Sequence, residues 1–272
     1  MSKNVVVVGA GGRMGKTIIR YLLSGAVPDL KLIGAVDLWD CPDRDKDAGL
    51  ASGAKESGVK IMTDLSALVP QTDVVIDFSS HHGTVGNAER FAKWAKPAWI
   101  IGTTGIGADG KAAIAAAAKI IPVVFAPNMS LGVNLLLALL EQAGRALKDR
   151  GYDVEIIERH HRKKKDSPSG TALGLGQAVA KGMDLDLDKV AVHGRHGMAN
   201  GERPATEIGF HAIRGGDYVG DHTVIFATEG ESIEISHRAS SRDTFAFGAL
   251  RAASWVVGKK PALYSMRDVL GV

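Results

Sequence analysis

The stretch ERHHRKKKDSPSGTA, residues 158–172, sets two adjacent histidines and five cationic side chains against a proline, a glycine and small hydroxyl residues. Three chemistries use such a mixture: a patch for a polyanion such as nucleic acid, a solvated loop, or a pocket for a small anionic substrate. A histidine supplies a proton near neutral pH, and crowding by like charges disfavours the ammonium form of a lysine. His160 and Lys164 are therefore the candidate proton handlers, while His161 taken alone reads as a structural hydrogen-bond donor. Ser167 followed by Pro168 is a helix-start signal, with serine as N-cap and proline as the first helical residue. The backbone N–H groups around Ser169, Gly170 and Thr171 then face whatever precedes the helix, a seat for a carboxylate that neighbouring cations reinforce. If the preceding strand, DVEIIERHH, runs on through the basic segment, His160, Arg162 and Lys164 lie on one side and His161 and Lys163 on the other. No metal centre is expected, because adjacent histidines flanked by cations are a poor home for a divalent ion.

A second constellation opens the chain. VVVVGAGGRMGKTIIRYLL places Gly9, Gly11, Gly12 and Gly15 between an apolar strand and a helix, the setting in which glycines admit a pyrophosphate to a helix N-terminus. The spacing is G-x-x-G-x-x-G, since Met14 stands where the stricter dinucleotide pattern has glycine. Ala10 completes the loop, and Arg13 either caps the phosphates or is solvated. Asp37 ends the second apolar run, about 20 residues past the glycines, where an acid holds the adenosine ribose hydroxyls. Leu38 and Trp39 follow it, so no adjacent cation meets a 2′-phosphate. That favours NADH over NADPH unless a Lys or Arg arrives from elsewhere in the fold. Trp39 is an adenine neighbour or merely a partly exposed aromatic. Later strand ends carry FSS, GTTG and APNMS. In open parallel sheets ligands bind beyond such ends. Gly102, Thr103 and Thr104 offer backbone and hydroxyl groups to ribose or nicotinamide, and Asn128, between Ala126-Pro127 and Met129, can hold a carboxamide.

The elements that must position these residues are legible as alternation. Short apolar runs (NVVVVG, LKLIGAVD, TDVVIDFS, AWIIGTT, IPVVFAPN) recur between amphipathic or alanine-rich segments up to about residue 128, the pattern of a parallel sheet covered on both faces. LLLALLEQAGRALKDRG reads as a helix, DVEIIERHH as a strand, SPSGTALGLGQAVAKG as a helix, and HTVIFATEGESIEISHRA as two strands joined at Glu229-Gly230-Glu231. Residues 185–222, rich in glycine and polar side chains, read as long loops at a strand-rich sheet. A final helix, DTFAFGALRAASWVVGKK, is placed to return to the first domain.

Composition removes other classes. The 272 residues suffice for two domains without a disulfide or metal staple. Cys41 is the only cysteine, and no apolar run approaches the roughly 20 residues of a membrane span. The chain begins directly in a strand, which points to a cytoplasmic protein. Arg159, Arg162, Lys163, Lys164 and Lys165 supply five of 33 cationic side chains, without which the net charge of +3 would be −2. The basicity is local and lacks interleaved aromatics, which argues against nucleic acid or an anionic membrane as partner.

Together VVGAGGRMG, VIDFS, IGTTG, APNMSLGVN, HHRKKKDSPSGTA, RGGDYVGDHTV and ISHRASSRDTFAFGAL resemble the 4-hydroxy-tetrahydrodipicolinate reductase (dihydrodipicolinate reductase) family, in family order and over nearly the whole chain. The resemblance implies an α/β protein: a Rossmann-type parallel-sheet domain of residues 1–129 and 241–272, and an α+β substrate-binding and tetramerisation domain of residues 130–240 with a mixed open sheet. It implies a homotetramer that transfers hydride from NADH or NADPH to a small cyclic dicarboxylate, with loss of water, in diaminopimelate and lysine biosynthesis. His160 matches the family's proton donor and Lys164 its second catalytic residue. His161, Gly170 and Thr171 match substrate positions, which Ser169 adjoins. Gly9 to Met14, Asp37, Gly102 to Thr104 and Ala126 to Met129 match cofactor positions. Leu38 departs from the arginine that some members carry for the NADP phosphate, Pro127 and Met129 vary the cofactor loop, and Ser167 replaces a common alanine. The rivals are another oxidoreductase of the same architecture, such as an amino acid dehydrogenase, and a non-catalytic dinucleotide sensor; neither needs HHRKKKDSPSGTA.

Overall fold

The computed structural model describes residues 2–199 and 201–272. Its chain divides into two compact units, one of the residues up to Leu131 with Asp243–Gly271, the other of Gly132–Arg242.

The first unit begins with β1 (Lys3–Val8), α1 (Arg13–Ser24), β2 (Leu30–Val36), α2 (Ala48–Ala51) and β3 (Ile61–Met62), followed by β4 (Val74–Asp77), α3 (His81–Trp94), β5 (Ala98–Ile101), α4 (Ala108–Ala117) and β6 (Pro122–Phe125). Helix α5 (Leu131–Leu147) leads into the second unit: β7 (Asp153–His160), α6 (Gly170–Gly182), α7 (Leu187–Val190), β8 (Ala191–His193), β9 (Ile208–Arg214), β10 (Gly220–Thr228) and β11 (Glu231–Ala239). The chain then returns to the first unit with α8 (Asp243–Val256), β12 (Ala262–Tyr264) and α9 (Met266–Leu270).

Among the described residues the first sheet has the order β12-β6-β5-β4-β1-β2-β3 with every pair parallel. Val5, Val6 and Val7 are fully buried, as a strand covered on both faces requires. Ile18, Ile19 and Leu22 line one stripe of α1, and the small residues Ala246, Ala249 and Ala253 let α8 approach the same core closely. The strand order turns at β1 and β4, so the loops after these strands open at the carboxyl edge where α/β sheets take ligands.

The second sheet, β11-β10-β7-β9-β8, is mixed: β7 pairs antiparallel with β10 and parallel with β9. Along β7 every second residue is buried, namely Val154, Ile156, Glu158 and His160. The first two join Leu175, Val179, Phe210 and Phe226 in an apolar core under α6. At Glu158 that inward face turns polar. Among the described residues of 185–222, where glycines and polar side chains suggest loops, lie α7, β8, β9 and the start of β10; burial of Ile208 and Phe210 supplies the strand signal that the glycines dilute.

Candidate active site

In the first unit, β1 runs into the glycine loop. Gly9 has φ of +79°, and a side chain there would meet the Phe78 carbonyl oxygen at 2.5 Å, so turn and neighbour both demand glycine. Helix α1 opens at Gly12 without a side-chain cap and with no acid in its first turn, leaving an N-terminus suited to an anion. A cavity of ≈ 390 Å³ lined by Gly9, Asp37, Trp39, His82 and Arg90 lies on one side. On the other, a second cavity of ≈ 390 Å³ is lined by Gly12, Arg13, Met14, Phe78, Gly102, Thr103, Thr104, Pro127, Asn128, Met129 and Phe245. Two clefts flanking a glycine loop fit the adenosine and nicotinamide halves of a dinucleotide. Ala10 and Ala126 are buried. Gly11 N–H donates to Asp37 Oδ2 at 2.7 Å, and Leu38 N–H donates to Oδ1 at 2.8 Å. Trp39 is 74% exposed.

One group differs from expectation. The Thr103 hydroxyl turns inward, accepting from Thr84 Oγ1 at 2.9 Å beside the fully buried Asp77, so Thr103 has its backbone, rather than its hydroxyl, to offer a ligand. Asp77 also accepts from the Ser79 N–H and Oγ, tying the FSS and GTT loops together. Burial raises its carboxyl above the usual aspartate value despite those donors.

In the second unit, β7 ends at His160 and the chain turns at once, Lys164 N–H returning to the His161 carbonyl at 3.0 Å. The strand therefore does not persist through the basic run, and the two-sided arrangement of its cations does not arise. Arg162, Lys163 and Lys165 are exposed, whereas Lys164 is half-buried with Nζ 2.9 Å from Asp166 Oδ2. Its nearest charged partner is thus an anion, where crowding by cations alone was expected. The helix also begins later than the serine–proline signal suggests. Ser169 is the N-cap, its hydroxyl accepting from Ala172 N–H at 3.1 Å, and Gly170 is the first helical residue. Ser169 is the better cap because its own N–H is held by Glu158 at 2.9 Å, which orients the hydroxyl over the helix end. Gly170 and Thr171 then open α6, with no acid in its first turn. His161 is half-buried, and its Nδ1 is buried without a partner.

Three residues that motif reading missed complete the cluster. Glu158 and His160 point to the same side of β7, two residues apart, with His160 Nδ1 2.6 Å from Glu158 Oε2. Arg214 of β9 pairs in register with His160 and donates both Nη atoms to Glu158 at 2.7 Å. His222 of β10 lies opposite Glu158, with Nε2 3.1 Å from Ser169 Oγ and its ring edge-on to His160. The i, i+2 spacing of Glu158 and His160 on a strand was the one local signal available.

Burial pushes the Glu158 carboxyl up, but Arg214, His160 and Ser169 together hold it below the ordinary glutamate value. Burial pushes His160 down; Glu158 draws it back, and Lys164 and Arg214 push it down again, leaving it below the ordinary histidine value. Burial foremost, helped by His160, lowers His222 from 6.5 to about 4. Between those values the unfolded chain binds the proton that buried His222 refuses, so His222 contributes stability that is complete above pH 6.5 and fades as pH falls towards 4. Its contribution is about 3 kcal/mol. Denaturant titrations across that range should show wild type losing about that much more than His222→Asn.

Among the described residues no cluster of His, Cys, Asp and Glu could hold a metal ion, and no helix is long and apolar enough to cross a membrane.

A coenzyme fold in one unit, with a histidine–carboxylate pair beside an anion seat in the other, equips the chain as an oxidoreductase that uses a dinucleotide. Comparison with known proteins narrows that class. The family model described as dihydrodipicolinate reductase, N-terminus, matches residues 3–129, and its C-terminus counterpart matches residues 132–270. The chain belongs to the dihydrodipicolinate reductase family. The 4-hydroxy-tetrahydrodipicolinate reductase of Thiobacillus denitrificans is 51% identical over 272 residues, covering 100% of both chains, and that of Anaeromyxobacter dehalogenans is 49% identical over 268 residues, covering 98% of this chain and 97% of the relative. The dipicolinate-bound dihydrodipicolinate reductase from Paenisporosarcina sp. TG-14 shares the fold, with a TM-score of 0.78 over 98% of this chain and 99% of that one at 22% identity.

Proposed function

We propose that the protein reduces 4-hydroxy-tetrahydrodipicolinate to tetrahydrodipicolinate, with loss of water, on the diaminopimelate route to lysine. The observation that carries this reading is a buried proton-handling pair, Glu158 and His160, beside the half-buried Lys164 and the N-terminus of α6. Such a group suits a small dianion that must also receive a proton. When bound, NADH or NADPH supplies the hydride. His160 gives the balancing proton through Nε2, and Lys164 holds a second proton close by. His161, Gly170 and Thr171 seat the carboxylates, the helix end and the cations acting on the same negative charge. Ser169, expected among them, is buried with its N–H held by Glu158 and its hydroxyl by Ala172 and His222, and anchors the helix end instead. The glycine loop from Gly9 to Met14 takes the pyrophosphate, Asp37 the adenosine ribose, and Gly102 to Thr104 with Ala126 to Met129 the nicotinamide end. Residues 1–129 with 241–272 form the coenzyme domain, and 130–240 the substrate and assembly domain of a cytoplasmic homotetramer. A tetramer mass in sedimentation equilibrium checks the assembly.

The test couples purified protein to the synthase that makes the unstable substrate and follows nicotinamide absorbance with NADH and NADPH in parallel. No oxidation of either coenzyme sinks the reading. The strand end by itself favours NADH, because Asp37 is followed by no cation. Arg90, however, lines the Asp37 cavity from α3, and it gives a 2′-phosphate a cationic partner that the strand end lacks. Arg90→Ala should therefore lower kcat/KM for NADPH roughly tenfold, the worth of a charged hydrogen bond. With NADH the same variant should stay within about twofold.

A further inference from the structure

The Glu158 carboxylate sits at the centre of the cluster with both oxygens shared. Oε1 accepts from Ser169 N–H at 2.9 Å and from Arg214 Nη2 at 2.7 Å; Oε2 meets Arg214 Nη1 at 2.7 Å and His160 Nδ1 at 2.6 Å. An ionised carboxylate can only accept, so the hydrogen of the Glu158–His160 contact resides on Nδ1. Neutral His160 then carries its lone pair on Nε2. That second nitrogen faces Gly220 at the start of β10, where a Cβ would lie 3.0 Å from it. Strand β7 thus engages one ring nitrogen, and a residue without a side chain leaves room at the other.

We propose that Glu158 is the positioning residue of the proton donor: it holds the His160 imidazole with Nδ1–H towards the carboxylate while Gly220 keeps Nε2 clear, and the ring takes up its second proton when a dicarboxylate binds. This deepens the function proposed above and rests on His160 being the donor.

The surrounding charges determine when that proton arrives. His160 is faced by Glu158 from its own strand, Arg214 from β9, His222 from β10 and Lys164 from the turn that follows β7. His222 is neutral at working pH. One anion therefore stands against two cations, and a buried ring in that field stays neutral in the free protein. Arg214 matters to this balance because it neutralises Glu158, which alone would favour a standing imidazolium. A bound dianion offsets Lys164 and Arg214 and gives the imidazolium a negative neighbour beyond Nε2. The donor is then charged in the complex that needs it. The Ser169 N–H bond joins the substrate-binding helix to the same carboxylate, so the helix end and the acid keep one geometry.

The experiment is nitrogen NMR of histidine-labelled full-length protein, read before and after addition of dipicolinate with NADH present. Titration calorimetry in buffers of differing ionisation enthalpy accompanies it. Wild type should show the Nδ1–H tautomer at His160, convert to imidazolium with dipicolinate, and take up about one proton per ligand near neutral pH. Glu158→Gln preserves shape but can turn an amide N–H towards Nδ1. It should give the Nε2–H tautomer, abolish proton uptake, and lower kcat on the order of 10²-fold with KM nearly unchanged. If that variant folds poorly because Arg214 then faces a neutral amide, the double variant E158Q/R214Q removes both charges and should show the same reversed tautomer. Gly220→Ala should keep the wild-type tautomer yet lower kcat. An Nε2–H tautomer in wild type, an unchanged tautomer in both glutamine variants, or dipicolinate binding without proton uptake overturns the proposal. The tautomer is read without turnover, so a failure there leaves the proposed reaction standing, whereas a wild-type protein that oxidises neither coenzyme removes the reaction itself.

Discussion

His160→Gln should lower kcat on the order of 10²- to 10⁴-fold while KM for the substrate changes little, the range expected when a positioned general acid is removed. Glutamine keeps a polar atom in the site, so what it removes is the proton rather than the hydrogen bond. A variant with weakened binding and unchanged turnover would refute the assignment. Lys164→Ala should lower both kcat and the affinity for the dianion, because Lys164 is the member of the basic run drawn into the cluster while Arg162, Lys163 and Lys165 remain exposed. Alanine at those three should cost far less turnover. The pH dependence follows from the sign of the His160 shift. Activity that needs the protonated ring falls as pH rises through its pKa. In the free protein that pKa lies below the ordinary histidine value, because burial and the two cations outweigh Glu158. A bound dianion opposes the cations, so kcat should fall at a higher pH than kcat/KM does. Coincident profiles would contradict this account.

Arg214→Met should be the most destabilising change in the cluster, by about 3–5 kcal/mol, since it removes one partner of a buried pair and leaves the other charged. Glu158 is 1% exposed as a side chain and receives two of its hydrogen bonds from this guanidinium. Methionine fills much of the volume, so the loss reports the stranded charge rather than a cavity. The sign is testable. Without Arg214 the uncompensated carboxylate favours a proton on His160 or on itself, so the folded variant takes up a proton that wild type resists and should lose less stability as pH falls towards the carboxylate range. Wild type should lose stability over the same interval, because its Glu158 is held below the ordinary value and its ionised form is the favourable one. Denaturant midpoints should therefore fall less steeply with falling pH in the variant than in wild type, His222 weighing on both alike, and parallel slopes would show that Arg214 serves packing alone.

The parallel sheet was legible because its strands are near-continuous apolar runs, and Val5 to Val7 or Ile100 and Ile101 are buried whichever face they present. Such runs survive any uncertainty about pairing. The glycine loop was legible for a similar reason, since Gly9 answers to a turn a few residues long. The start of α6 was less so. Ser167-Pro168 and Ser169-Gly170 both carry helix-start residues, and the choice fell to Ser169 through a hydrogen bond to Glu158, eleven residues earlier in the chain.

Local chemistry thus determined, from the sequence by itself, a coenzyme-type sheet, a basic segment ending in small residues, and His160 and Lys164 as candidates. It also carried the family likeness. Only the tertiary structure decided which cations enter the cluster and what holds the histidine. Arg214 and His222 lie more than fifty residues beyond their partners, and they arrive through the register of β7 with β9 and β10, which sets Arg214 beside His160 and His222 opposite Glu158. A slip of one residue would send each of them to the other face of the sheet. That register is set by the burial of Ile156, Phe210, Val224 and Phe226 together, a cooperative property of three strands that no single segment of the chain contains.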